Sequence, residues 1–206
     1  LRRQRQMCIR DSSQWMYQRS YPATAGLRPS LQLELTLCAP ALPVERTTLH
    51  ALADRFAAQS GSPFEVSTIS VAETQSEKVL SFLRRFAQHR SGQMQQAWDT
   101  ALVRHIYDVH CIFARKPELL AISAPAFAAL VKGDVEAFGQ QQPDFAADPL
   151  RVMEKALTQV GADDQSRVEY EQNLLPLVYG SFKPHFDEAF ASFVQVARTL
   201  FLEAAS

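Results

Sequence analysis

The ten residues VRHIYDVHCI (103–112) set Arg104, His105, Asp108 and His110 among apolar neighbours. Such a set has three chemical readings: metal ligands, parts of a catalytic site, or the polar edge of an ordinary helix. Helical geometry argues against the first. His105 and His110 are five residues apart, so they stand about 140° from each other around a helix, whereas a chelating pair needs i, i+4 spacing. The plain reading puts His105 at the surface or in the first helical turn and leaves His110 half-buried. Arg104 and Asp108 do have i, i+4 spacing and share a face, which Cys111 and Arg115 continue. A simple intrahelical ion pair there would contribute about 0.3–0.5 kcal/mol. Most of the helix girth is apolar, through Leu102, Val103, Ile106, Tyr107, Val109, Ile112 and Phe113. The helix should therefore be largely buried, and its charged stripe must meet water, a cleft or a charged partner.

Two other residues could join such a site. Lys78 forms a polar strip with Ser81 and Arg85, opposite Val79, Phe82 and Phe86. A lysine on a helix is ordinarily a solvated residue; in a site it would offer a point charge to a phosphate. Glu34 lies at the middle of the polar face of LQLELTLC (31–38). A carboxylate on a strand beside an open sheet edge can bind Mg²⁺ together with other acids.

The elements that must position these residues follow from periodicity. Residues 31–38 alternate strictly, with Leu31, Leu33, Leu35 and Leu37 on one face, which predicts a half-buried strand. PVERTTLHALADRFAAQS (43–60) predicts a helix with Leu49, Leu52 and Phe56 as its apolar stripe. FEVSTISV (64–71) reads as a second strand. After residue 72 everything reads as helix. Thr74 and Glu77 fit a capping box opening a helix to about His89. Asp99 caps the next, 100–115, which must stop before Pro117. Further helices are expected near 124–138, 149–160 and 164–179, and a long one closes the chain. Two strands cannot make a stable sheet alone. They either pair as a covered ribbon or belong to a sheet whose other strands are missing.

The bulk numbers exclude several classes. The 206 residues carry a net charge of −1, without the basic excess of a nucleic-acid binder. Residues 1–28 hold six arginines against Asp11, leaving a net −6 in 29–206. A nucleic-acid surface built on Arg84, Arg85 and Arg90 would have to work against that acidic remainder. Three scattered cysteines make neither a disulfide framework nor a cysteine-based zinc site. No run approaches the roughly 20 apolar residues of a membrane span, and no signal peptide is visible, so a cytoplasmic location is expected. LRRQRQMCIRDSS resembles the translated read-through of a sequencing adapter. Residues 1–29 are accordingly set apart as artefactual or disordered, 30–72 as a sheet remnant, and 73–206 as a helical domain.

The order of these features matters more than any one of them. A strand with a central acid and a second strand are followed by ETQSEKVLSFLRR and, after a gap, by LVRHIYDVHCI. That order resembles the C-terminal part of the AbiEii/AbiGii nucleotidyltransferase toxin family, with its E-T-x-x-E-K helix start and later R-D-x-x-D-L helix. EYEQNLLPLVYGSFKPHFDEAFASF is similar to the family's C-terminal helices. The resemblance covers roughly residues 30–206. It implies an α+β, mostly helical fold: about two strands of a nucleotidyltransferase sheet followed by a helical bundle. It also implies Mg²⁺, a nucleoside triphosphate, an antitoxin partner and, in some members, the tRNA acceptor end. Matched to the family's motifs, Lys78 would meet the triphosphate. Asp108 would be the acid of the later motif and Arg104 its leading arginine, while Glu34 would be the third acidic position, beside the metal. The two polar edges should then close over one pocket at the sheet margin.

The family's Gly-Gly-Thr turn and its Arg-x-Ser-x-Asp-x-Asp segment are absent, and His105 stands where the family more often has Asp. The expectation is an N-terminally truncated fragment with negligible catalysis. The alternative is a non-catalytic helical module that binds a protein partner.

Overall fold

The computed structural model describes residues 10–16, 30–36, 39–50, 61–92 and 98–206. Its architecture is α+β and mostly helical, with two separate two-stranded antiparallel sheets. Strands β1 (Arg10–Met16) and β2 (Ser30–Thr36) pair with Trp15 opposite Leu31 and Ser12 opposite Glu34. Strands β3 (Glu45–Leu49) and β4 (Phe64–Thr68) pair with Leu49 opposite Phe64. The two strands legible in the sequence thus do not pair with each other. Each finds a partner that the periodicity did not show. One of these, β1, begins within the N-terminal stretch set apart above.

The helix expected from residue 43 is not formed over its first part, where Glu45–Leu49 is a strand. The β-branched Thr47 and Thr48 suit a pleated surface. The Thr47 and Thr68 hydroxyls, 2.9 Å apart, join the strands side chain to side chain. Leu52 and Phe56 lie outside the described residues. Leu31 and Leu33 were expected to face a core, but both are exposed. A two-stranded sheet has too little area to cover its own apolar face.

The helical part has a core of its own. Helix α1 (Val71–Arg90) starts four residues earlier than a Thr74 cap would have it. Its cap is Ser70, whose hydroxyl accepts the Glu73 N–H at 3.1 Å. A short 3₁₀ turn, Thr100–Val103, capped by Asp99, leads into α2 (Arg104–Arg115), which ends before Pro117. Then come α3 (Leu119–Ser123), a 3₁₀ turn containing Pro125, α4 (Phe127–Phe138), α5 (Pro143–Ala147) and α6 (Pro149–Gly161). The helix expected over 164–179 breaks up. After α7 (Asp164–Val168) the chain widens into a π turn at Glu169–Leu174, then a 3₁₀ turn, Leu175–Leu177.

Tertiary bonds and Pro176 account for that break. The Tyr170 hydroxyl donates to the Pro184 carbonyl at 3.1 Å, and the Glu171 carboxylate accepts the Phe186 N–H at 2.7 Å. The second of these caps α8 (Phe186–Ala204) from outside, since its N-cap residue His185 makes no side-chain cap. The core runs through Val79, Phe82, Leu83 and Phe86 of α1, Ile106 and Val109 of α2, Met153 and Val160 of α6, and Phe193, Val196 and Leu200 of α8. Phe82 meets Phe193 edge to face, with centroids 5.5 Å apart.

Candidate functional site

Helix α1 buries ten of its twenty residues, among them the polar Glu73, Gln75, Ser76 and Arg84. Helix α2 packs along it and brings Asp108 to Lys78. The Lys78 Nζ donates to Asp108 Oδ2 at 2.7 Å, with the two side chains 23% and 36% exposed. This bond spans 30 residues of sequence and joins the polar edges of two helices that otherwise meet through apolar side chains. Asp108 is therefore bonded across the helices to Lys78. Arg104, one turn earlier on α2, is exposed and stands outside that pair.

His105 sits at the same edge. Its Nδ1 is buried without a hydrogen-bond partner. Burial, with help from the nearby charges of Lys78, Arg104 and Arg85, pulls its pKa down to about 3. It is therefore a neutral imidazole at ordinary pH. His110 is more deeply placed than the sequence suggested, at 4% exposure. Its Nδ1 lies 2.9 Å from the Ser192 hydroxyl and its ring stacks on Phe182. Burial lowers its pKa as well, against the pull of Glu188. The two histidines have different surroundings.

Among the described residues no group of three or more His, Cys, Asp or Glu side chains could hold a metal ion. Asp108 is taken by an ammonium group. Glu34 is in β2, but its side chain lies outside the described residues. The described residues therefore do not make up a Mg²⁺ centre. A cavity of about 150 Å³ opens at the other end of α1, among Ala87, Arg90, Gln142, Phe145 and Lys155, and takes in neither Lys78 nor Asp108.

The arginines at 84, 85 and 90 do not form a basic stripe. Arg84 is buried, with Nε 2.6 Å from Asp134 Oδ2 and its guanidinium 4.0 Å from the Phe138 ring centre. Burial raises the Asp134 pKa, and Arg84 opposes that rise. Arg85 pairs with Asp99 at 3.7 Å and Arg90 with Asp163 at 3.8 Å. Glu77 has its pKa raised by burial first and then by Glu73 and Asp134.

Glu73, the first residue of ETQSEK, has no assigned role in the sequence pattern, yet it is buried in the first turn of α1. Its Oε1 accepts the Ala41 N–H at 2.9 Å and its Oε2 the Leu42 N–H at 2.7 Å. The signal available was the spacing Ser70-x-x-Glu73, a helix-start pattern one turn upstream of the one chosen. Also missed was Glu169, whose carboxylate accepts the Trp98 indole N–H at 3.0 and 3.1 Å.

The family described as nucleotidyl transferase AbiEii toxin, type IV TA system, matches residues 4–192. No curated protein matches the chain, and no solved structure does.

Proposed function

The chain belongs to the AbiEii nucleotidyl transferase toxin family of type IV toxin–antitoxin systems, and from that we propose that its α1–α2 edge is the nucleotide-facing side of the transferase. In this reading Lys78 offsets negative charge on the triphosphate of a bound nucleotide. Asp108 orients the lysine. Arg104 supplies a second cation at the exposed end of the same edge. His105, held neutral, adds no charge of its own. The observation that carries the reading is the 2.7 Å Lys78–Asp108 bond, partly exposed to solvent, which holds an ammonium group between two packed helices.

The reaction would be in-line attack of an acceptor hydroxyl, such as that at a tRNA end, on the α-phosphate. A new P–O bond forms, the bond between the α-phosphorus and the bridging oxygen breaks, and pyrophosphate leaves. Positioning and charge neutralisation supply most of the catalysis in such transfers. Mg²⁺ would stabilise the attacking and leaving oxygens, but the Asp-x-Asp segment that holds it in the family is absent from this sequence. The 206 residues by themselves should therefore bind nucleotide without transferring it. An antitoxin protein is the natural partner, and the cytoplasm the natural place of action. No helix among the described residues is long and apolar enough to cross a membrane.

Calorimetric titration with each nucleoside triphosphate tests this. Lys78→Met should weaken binding by about tenfold, the loss of one charge-assisted contact. Equal affinity in the variant and the parent would end the assignment. Label transfer from α-labelled triphosphate to tRNA should be negligible, and detectable Mg²⁺-dependent transfer would refute the silence proposed here. The self-contained helical core favours a second reading, a non-catalytic interaction module, which absent nucleotide binding would support.

A further inference from the structure

Among the described residues, every member of the apolar core cluster comes from position 79 onward. A polar contact does tie the connection between β2 and β3 to α1, and Glu73 makes it. Glu73 is 2% exposed, a costly place for a carboxylate unless its oxygens are bonded. Both are, by the successive N–H groups of Ala41 and Leu42. Two consecutive amides thus converge on one anion, one to each oxygen, and the N-terminal end of α1 favours negative charge at the same point. With Ser70 as N-cap, Glu73 has the spacing at which a capping box would send it back to the Ser70 N–H. It reaches instead across 31 and 32 residues of sequence. Lys78 lies five residues further along the same helix. Whatever Glu73 holds is thereby held at a set distance from the Lys78–Asp108 pair.

We propose that Glu73 is a positioning residue: its carboxylate clasps the Ala41 and Leu42 amides and so fixes the strand region, including the strand that carries Glu34, relative to Lys78 and Asp108. The proposal rests on the nucleotide reading of Lys78. Glu73 itself touches no nucleotide. Its effect on binding passes through the backbone it fixes.

The test uses the full chain with Glu73→Ala, Glu73→Gln and Glu73→Asp. Hydrogen exchange at the Ala41 and Leu42 amides is read beside affinity for Mg-ATP. Glu73→Ala should speed exchange at those two amides by about tenfold or more, while amides in α2 and α8 keep their protection. Mg-ATP should bind about fivefold more weakly, because the site loses pre-organisation. Glu73→Gln retains one acceptor and should fall between. Glu73→Asp should restore part of both effects, which a purely steric role would not predict. Unchanged exchange at Ala41 and Leu42 overturns the clasp. Faster exchange with parental Mg-ATP affinity overturns the positioning role. If Glu73→Ala loses protection throughout, the Gln variant is judged by the same two criteria. If the parent binds no Mg-ATP while the two amides still loosen, the nucleotide reading of Lys78 has failed and the positioning role falls with it.

Discussion

The strand region and the helical region solve the burial problem differently. From α1 onward, apolar side chains from several helices meet in one cluster that includes Phe82, Ile106, Met153, Phe193 and Leu200. The strands do the reverse: Trp15, Met16, Leu31, Leu33, Leu49 and Phe64 are all exposed. A helix buries a stripe by lying against any other helix, and α1 has α2, α3, α4, α6 and α8 around it. A two-stranded sheet needs a second layer or more strands, and among the described residues each sheet has two strands. Among the described residues the apolar cluster is drawn from the helical region, while the Glu73 contact links the β2–β3 connection to α1.

This contrast can be broken at both ends. Phe193→Ala should cost about 3–5 kcal/mol in urea unfolding, since a fully buried ring is replaced by a cavity. Leu31→Ala should stay within about 0.5 kcal/mol, as a surface change does. Comparable losses at the two positions would show that the strand face is covered after all. The next largest effect should come from Arg84→Met, at about 3 kcal/mol, because the variant leaves the Asp134 carboxylate half-buried without its cation. Arg84→Met with Asp134→Asn should recover much of that loss, and failure to recover would mean that packing on Phe138 dominates.

A smaller effect, spread over pH, sharpens the same contrast. His105 has its folded pKa lowered from 6.5 to about 3. Its contribution to stability is therefore complete above the unfolded value and is lost as pH falls from about 6.5 toward 3. Within that window the helical region should lose up to about 1.4 kcal/mol per pH unit through this group. Glu77 and Asp134 run the other way. Their raised pKa values favour the folded state at low pH, and that advantage fades as pH rises through the folded values. His105→Gln should flatten the acid limb of stability measured by urea titration between pH 6.5 and 4. An unchanged limb would mean that the imidazole is not responsible.

The residues legible in the sequence are those whose surroundings are local. The stripe Val79, Phe82, Leu83 and Phe86, the Asp99 cap and the stop before Pro117 all depend on neighbours within a turn or two, and each stands where periodicity put it. The start of α1 was misplaced because Ser70-x-x-Glu73 and Thr74-x-x-Glu77 spell the same signal one turn apart. β3 was read as helix because its ladder is made with β4, some twenty residues later. Single-helix reasoning paired Asp108 with Arg104, and only the packing of α2 on α1 brought it to Lys78.

Sequence by itself determined the mostly helical character of the described residues from 73 onward, the apolar stripe of α1 that enters the core, and the family pattern in which Lys78 and Asp108 occur. Tertiary structure decided which strand pairs with which, where the Glu73 carboxylate goes, and that Arg84 is buried against Asp134 rather than offered to solvent. The physical reason is distance along the chain. Periodicity and capping act over a few residues, whereas these partners lie 31, 32 and 50 residues apart and meet only when the helices pack.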